Sequence, residues 1–308
     1  MAAYDDWAVA RRQIEDSNYW ISPRGRRPRW RKKIFHALLM TFDAALRLTP
    51  LHAVGRHNAL DLQVRRHDIV LPNLPPEFDG YRLMHVSDTH LDECPELVDQ
   101  TRALVAGLEV DLLIVTGDTL GHVRTPVGEA ADLLHQALQD VTVRDGRLAT
   151  LGNHDPVDMV AELRRIGFDV LVNRTHRVWR GTSALSLTGL DDVHSFYTPQ
   201  ALEALGPVDQ GCAIALVHTS ELADHAAAAG YSLYLAGHTH GGQIALPGGR
   251  PIITQLVRCR HTAVGLWRHD KLVGHTSSGL GVSGPKLRFN TRGEVALLTL
   301  RRPGIESA

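Results

Sequence analysis

RLMHVSDTH, residues 82–90, runs from an apolar stretch straight into an aspartate and a histidine two positions apart, and the same event recurs four times downstream. DLLIVTGD (111–118) ends in Asp118, and LATLGNHD (148–155) ends in Asn153, His154 and Asp155. AIALVH (213–218) ends in His218, and SLYLAGHTH (232–240) ends in His238 and His240. Each run is short, apolar and strand-like. Helix-periodic stretches at 96–108 and 128–138 fall between some of them, which is the rhythm of an α/β domain. Loops at the carboxyl ends of strands form the ligand crevice of such sheets, so five endings far apart in the chain can converge on one point.

The side chains at those endings are carboxylates, an amide and imidazoles. That mixture suits hard and borderline divalent ions, manganese foremost, with iron and zinc as the other candidates. Singly, each motif is weak: Gly-Asp usually marks a turn, and a lone histidine after a strand is usually a hydrogen-bonded structural residue. As an ordered set they are specific, because five polar clusters would be costly to bury without a shared ligand. Gly117, Gly152 and Gly237, lacking a Cβ, permit the tight turns and close backbone approach such a site needs.

The rest of the chain narrows the class. Its 308 residues are 44% apolar and 22% charged, which excludes a disordered chain and a multi-span membrane protein. The net charge of −1 hides an uneven distribution: residues 1–70 hold 13 Lys/Arg against 7 Asp/Glu, and the remainder 20 against 27. A basic front on an acidic body argues against a nucleic-acid binder and for a local attachment surface. Cys94, Cys212 and Cys259 are odd in number and widely spaced, so a reducing, cytoplasmic setting is expected. The N-terminus lacks a Sec signal, and the apolar stretch after Arg26 and Arg27 is too interrupted for a twin-arginine leader.

Three segments are expected. Residues 1–33 form a basic, flexible arm, with seven Lys/Arg between Arg24 and Lys33 interleaved with Pro23, Gly25, Pro28 and Trp30. Residues 34–80 form an amphipathic helix and a connecting segment. Phe35, Leu38, Leu39, Phe42 and Leu46 lie largely opposite Lys33, His36, Met40, Asp43 and Arg47. That helix either packs its apolar face on the core or lies, through residues 24–48, on an anionic membrane at the inner face of the cell membrane. Residues 81–302 form the working domain.

Taken together, HVSDTHL (85–91), IVTGD (114–118), LGNHD (151–155), LVH (216–218) and AGHTHGGQIALP (236–247) resemble the calcineurin-like metallophosphoesterases. Within that family they are similar to a bacterial branch of single-domain phosphodiesterases marked by GNHD and GHTHGGQ. The resemblance runs from about Tyr81 to Leu300 and implies two facing mixed β-sheets flanked by helices, with two metals at the edge where the sheets meet. It implies that Asp88, His90 and His240 hold the first ion, that Asn153, His218 and His238 hold the second, and that Asp118 bridges them. His154 would contact the substrate phosphate and protonate the leaving oxygen, with Asp155 orienting it. GDTLGH departs from the family's second motif, which leaves the surroundings of Asp118 open and His122 as a substitute there. The implied reaction is hydrolysis of a phosphodiester or pyrophosphate, with membrane-associated UDP-2,3-diacylglucosamine as the lipid candidate. The alternatives are a soluble cyclic-nucleotide phosphodiesterase and a non-catalytic metal-binding scaffold.

Overall fold

Every one of the five runs is a strand in the computed structural model, which describes residues 2–122, 124–208 and 211–304. They are divided between two six-stranded sheets. The first has the order Leu62–Val70, Gly293–Arg301, Arg82–Val86, Leu112–Thr116, Arg147–Thr150, Asp169–Val170. The second has the order Arg174–Arg180, Ser183–Gly189, Cys212–Leu216, Leu233–Ala236, Leu272–Thr276, Gly265–His269. Inner neighbours such as Arg82–Val86 and Leu112–Thr116, or Cys212–Leu216 and Leu233–Ala236, run parallel, and antiparallel partners join nearer the edges. Both sheets are therefore mixed, as expected.

Their apolar faces meet across one core, in which Leu83, Ile114 and Leu148 lie against Leu187, Ile214, Leu216 and Leu233. The outer face of the first sheet carries helices Glu96–Val105, Val127–Leu138 and Met159–Arg165, which bury Leu97, Leu134 and Leu163 against Met84, Val86, Leu113 and Val115. The outer face of the second carries Pro199–Ala204 and Ala223–Ala229. Strands covered on both sides have no solvent face to mark, which is why these runs read as continuous rather than alternating.

The N-terminal quarter differs from expectation. Residues 1–33 were expected as a flexible arm, yet they include helix α1 (Ala2–Glu15) and a hairpin of Tyr19–Ser22 with Gly25–Pro28. The punctuating residues fall where a hairpin needs them: Gly25 has φ +93° at the turn, and Pro28 ends the second strand. Trp20 and Ser22 turn inward, whereas Arg24 and Arg26 are exposed and Arg27 is half-buried. The hairpin is stitched to the body through Ile21, whose amide donates to the Ser195 carbonyl at 2.8 Å and whose carbonyl accepts from Tyr197 at 3.0 Å. Helix α2 (Trp30–Leu46) begins four residues before the expected start, and α3 (Leu51–Leu60) follows it. Strand Leu62–Val70 then pairs in parallel with Gly293–Arg301, so a boundary at residue 81 cuts through the first sheet. Prolines 72, 75 and 76 mark the turn after that strand, not the edge of the domain.

Helix α2 does not pack its apolar face on the core. Trp30, Ile34, Leu38 and Phe42, one helical turn apart, are all exposed, and Leu38 is 64% accessible. What α2 turns inward is Asp43, which accepts from Arg47 at 2.8 Å and faces His52 at 3.6 Å, while Phe35 and Leu39 line a cleft. No single helix among the described residues is long and apolar enough to cross a membrane.

Candidate metal centre

The five strand ends come from neighbouring strands of both sheets, and their loops meet at one sheet-to-sheet edge. Asp88, His90 and His240 place one donor atom each within 4.8 Å of one another, and so do Asp118, His218 and His238; all six residues are buried. Asp118 joins the two groups. Its Oδ2 lies 3.2 Å from His218 Nε2 and 3.8 Å from His90 Nε2, and its Oδ1 accepts from the backbone amide of His154 at 2.8 Å. His240 Nε2 is 3.5 Å from Asp88 Oδ1.

The backbone is shaped to aim these side chains inward. Asp88, His90, Asp118, His238 and His240 all have positive φ, between 38° and 71°. Non-glycine residues pay about 1–3 kcal/mol for such conformations, which persist where the surroundings over-determine them. Two glycines admit the crowding that results. A Cβ on Gly237 would sit 1.8 Å from Ser87 Oγ and 2.2 Å from Asp88 Oδ2, and one on Gly152 would sit 2.1 Å from Asp118 Oδ1.

The hydrogen bonds leave the correct atoms bare for cations. His90 Nδ1 faces the Leu120 carbonyl at 3.0 Å and His218 Nδ1 the Thr116 carbonyl at 2.8 Å, which directs each Nδ1 proton to a carbonyl. His90 Nε2 and His218 Nε2 are then left buried without a hydrogen-bond partner, as are His240 Nδ1 and Asn153 Oδ1. A carbonyl behind each imidazole is the support that metal-binding histidines use. Buried lone pairs without partners cost about 1–3 kcal/mol each, so this donor set fits divalent ions, and none of the described residues replaces them.

Electrostatics point the same way. Burial raises the Asp88 carboxyl to about 6 and lowers His90 to about 4. At Asp118 burial also opposes ionisation, but the adjacent imidazoles of His218, His154 and His90 outweigh it and hold the carboxyl well below its usual range. At His218 burial disfavours the charged ring, yet the Asp118 carboxylate prevails and raises it to about 10. Positive charge is favoured where the ionised Asp118 sits beside His218.

His154 lines the cleft beside the cradle, with its Nδ1 3.2 Å from the Gly121 carbonyl. Asp155, expected to orient that imidazole, has another task. Its buried carboxylate accepts from the amides of Gly152, Thr119 and Leu120 at 2.9–3.0 Å, tying the Asn153 loop to the loop after Asp118. A carboxylate so close to His154 in sequence points the other way because those three amides lie behind the loop. His122 is also not beside Asp118: it is exposed, and its amide donates to Asp92 at 2.8 Å.

Several residues of the site have no motif. Arg288, fully buried, donates to the carbonyls of Ser278, Gly279, Gly281 and His240 and so fixes the glycine-rich segment against the last ligand loop. The ring of His194 lies 4.3 Å from that of His238, with its Nδ1 3.5 Å from Glu221. Arg11, from α1, reaches the carbonyls of Gly152 and Asp155. None of these has a fixed spacing to a motif, so only a buried charge seen in three dimensions reveals them.

A cleft of about 470 Å³ opens from this edge. Its lining combines Asp118, Asn153, His154, His194, His238 and His240 with the apolar side chains of Phe35, Leu39 and Phe42 of α2 and of Ile252 and Ile253.

The family model for calcineurin-like phosphoesterases matches residues 81–242, which include every residue of the cradle. YkoQ, an uncharacterized metallophosphoesterase of Bacillus subtilis (strain 168), is 27% identical over 261 residues, covering 82% of this chain and 95% of its own. YkuE, a second uncharacterized metallophosphoesterase of that strain, is 29% identical over 250 residues, covering 78% and 86%. A transmembrane protein with a metallophosphoesterase domain from Danio rerio is 26% identical over 257 residues, covering 76% of this chain and 56% of that protein. With the fold, the two donor groups and this match in agreement, the chain belongs to the calcineurin-like phosphoesterase family and is a metal-dependent phosphoester hydrolase.

Proposed function

We propose that this enzyme hydrolyses a phosphodiester or pyrophosphate bond in an amphiphilic substrate at a membrane surface, with UDP-2,3-diacylglucosamine as the specific candidate and manganese as the metal pair. The observation that carries the reading is the cleft, whose lining joins the polar residues of the cradle to apolar side chains of α2 and of Ile252–Ile253. Among the described residues lining it there is no lysine or arginine. A phosphate monoester, whose two charges sit on one phosphoryl group, would call for such cations, whereas in a diester or a disubstituted pyrophosphate each phosphoryl group carries a single charge.

Asp88, His90 and His240 would hold one ion, Asn153, His218 and His238 the other, and Asp118 both. Bound divalent ions would neutralise charge on the phosphate oxygens and lower the pKa of a water to near 7. The protein's own contribution is positional. Asp118 also fixes the His154 amide, so the bridging carboxylate and the acid share one anchor. With one ring nitrogen of His154 facing the Gly121 carbonyl, the other is left to pass its proton to the departing oxygen.

The membrane surface is read from charge and shape together. Arg24, Arg26, Arg27, Arg31 and Lys33 make no ion pair with any described residue and adjoin the exposed stripe of Trp30, Ile34, Leu38 and Phe42. Apolar side chains flanked by unpaired cations suit an anionic bilayer.

The test is a hydrolysis panel on protein reconstituted with Mn, Fe or Zn. It compares an aryl phosphodiester, an aryl monoester, a cyclic nucleotide and a nucleotide-linked lipid in detergent. The expected order places the lipid first and the aryl diester second. Release from the monoester alone overturns the reaction, and cyclic-nucleotide turnover indifferent to Leu38→Asp and Phe42→Asp overturns the membrane reading.

A further inference from the structure

Helix α1 lies outside the matched family region, yet it reaches the loop that carries Asn153 and His154. Arg11 is 1% exposed, and its Nη2 donates to the Asp155 carbonyl at 2.6 Å and to the Gly152 carbonyl at 3.3 Å. A single nitrogen therefore grips the backbone on both sides of Asn153–His154. The other arms of the guanidinium bind Asp191 and, at 3.1 Å, Glu15, and its carbon sits 3.4 Å over the Phe196 ring. Trp7 and Glu15 reinforce the docking. Trp7 Nε1 donates to Asp191 at 2.8 Å, and Glu15 accepts from the Val157 amide at 3.0 Å.

The arrangement is costly unless it does something local. Burying an arginine and a carboxylate carries a desolvation penalty that a well-packed apolar pair would avoid. What an apolar pair cannot do is hold two carbonyls three residues apart in one fixed relation. On the inner side of the same loop the Asp155 carboxylate holds the amides of Gly152, Thr119 and Leu120. The loop is thus clamped from both sides, by its own carboxylate within and by an arginine from the N-terminal helix without.

We propose that Arg11 is a positioning residue for the catalytic loop: it fixes the backbone around His154 so that the imidazole meets the leaving oxygen. The inference rests on the reading of His154 given above. Arg11→Lys keeps the charge and loses the fork, which makes it the informative variant; Arg11→Ala, with and without added guanidinium, and Asp191→Asn accompany it.

Two measurements test it. The first compares a nitrophenyl with a phenyl phosphodiester, because a misplaced acid matters most where the leaving group needs its proton. In Arg11→Lys, kcat on the phenyl ester is expected to fall about 10²-fold and on the nitrophenyl ester less than about tenfold, with KM nearly unchanged. Guanidinium should restore part of the loss in Arg11→Ala. The second is amide hydrogen exchange, which should quicken at 151–157 in Arg11→Lys and Asp191→Asn while the central strands stay protected. Equal losses on both esters, or unchanged exchange at 151–157, overturn the proposal. If the parent protein hydrolyses neither ester with any metal, the reading of the reaction fails, and the exchange measurement alone then decides whether Arg11 holds the loop.

Discussion

The metal cradle and helix α2 break the ordinary rule of protein interiors in opposite directions. In the cradle, polar atoms are buried without partners: His90 Nε2, His218 Nε2, His240 Nδ1 and Asn153 Oδ1. On α2, large apolar side chains stand in solvent, with Trp30, Ile34, Leu38 and Phe42 all exposed. Among the described residues neither region finds what would satisfy it. They differ in sharpness. Directed lone pairs at fixed separations select a small set of ions, whereas a stripe of apolar surface beside cations selects only a class of surface.

That contrast can be broken from the cradle side first. Asp118→Asn removes the carboxylate shared by both donor groups. Activity should fall below that of any acid-deficient variant and metal content should drop, since loss even of supporting contacts costs about 10–100-fold in metal affinity. Full occupancy by elemental analysis would show that Asp118 is not the bridge. His154→Ala should retain its metal and lose about 10²- to 10⁴-fold in turnover, as the loss of one general acid does. Wild-type kcat in that variant rules the role out.

On the α2 side, effects should be graded rather than absolute. Leu38→Asp and Phe42→Asp each remove about 1.5–3 kcal/mol of apolar burial, so each should weaken binding to anionic vesicles by about tenfold or more without lowering Tm. Arg26→Ala and Arg27→Ala should each cost about 1 kcal/mol, and only where anionic lipid is present. Retained flotation of Leu38→Asp with such vesicles would dissolve the comparison.

A further effect, confined to acid pH and absent at neutrality, concerns a buried histidine pair beneath the site. His85 Nδ1 and His275 Nδ1 lie 3.1 Å apart between the sheets; burial lowers His275 to about 4 and takes His85 well below its ordinary value. Below pH 6.5 the unfolded chain binds protons that the folded one refuses. Stability should therefore be constant at neutral pH and decline as pH falls from about 6.5 toward 4, by up to about 1.4 kcal/mol per pH unit per group. Urea titrations of His275→Phe against the parent, at pH 7 and 5, would read the difference; an equal decline in both assigns the acid sensitivity elsewhere.

Much of the cradle was legible in the sequence because its residues follow strands, and strand ends converge by a general rule of α/β topology. Asp88, His90, Asp118, Asn153, His218, His238 and His240 could be named from the order of five motifs, and the two facing sheets from the family those motifs resemble. The task of Asp155 could not be read, because it depends on three backbone amides behind the loop. Arg11 and Arg288 likewise act on carbonyls distant in sequence, and an arginine among many arginines carries no mark of burial. The N-terminal segment was misjudged for a related reason. Composition reports how polar a stretch is, and α1 is docked through Arg11, Trp7 and Glu15 while the exposed stripe of α2 is not covered by any described residue. The linear chain determines which chemistry can gather at the strand ends, since apolar runs and their terminal ligands are local features. Which charged residues hold that chemistry in place, and which apolar face is left open, were decided only by the packing of distant segments, where geometry and desolvation act and residue type alone does not.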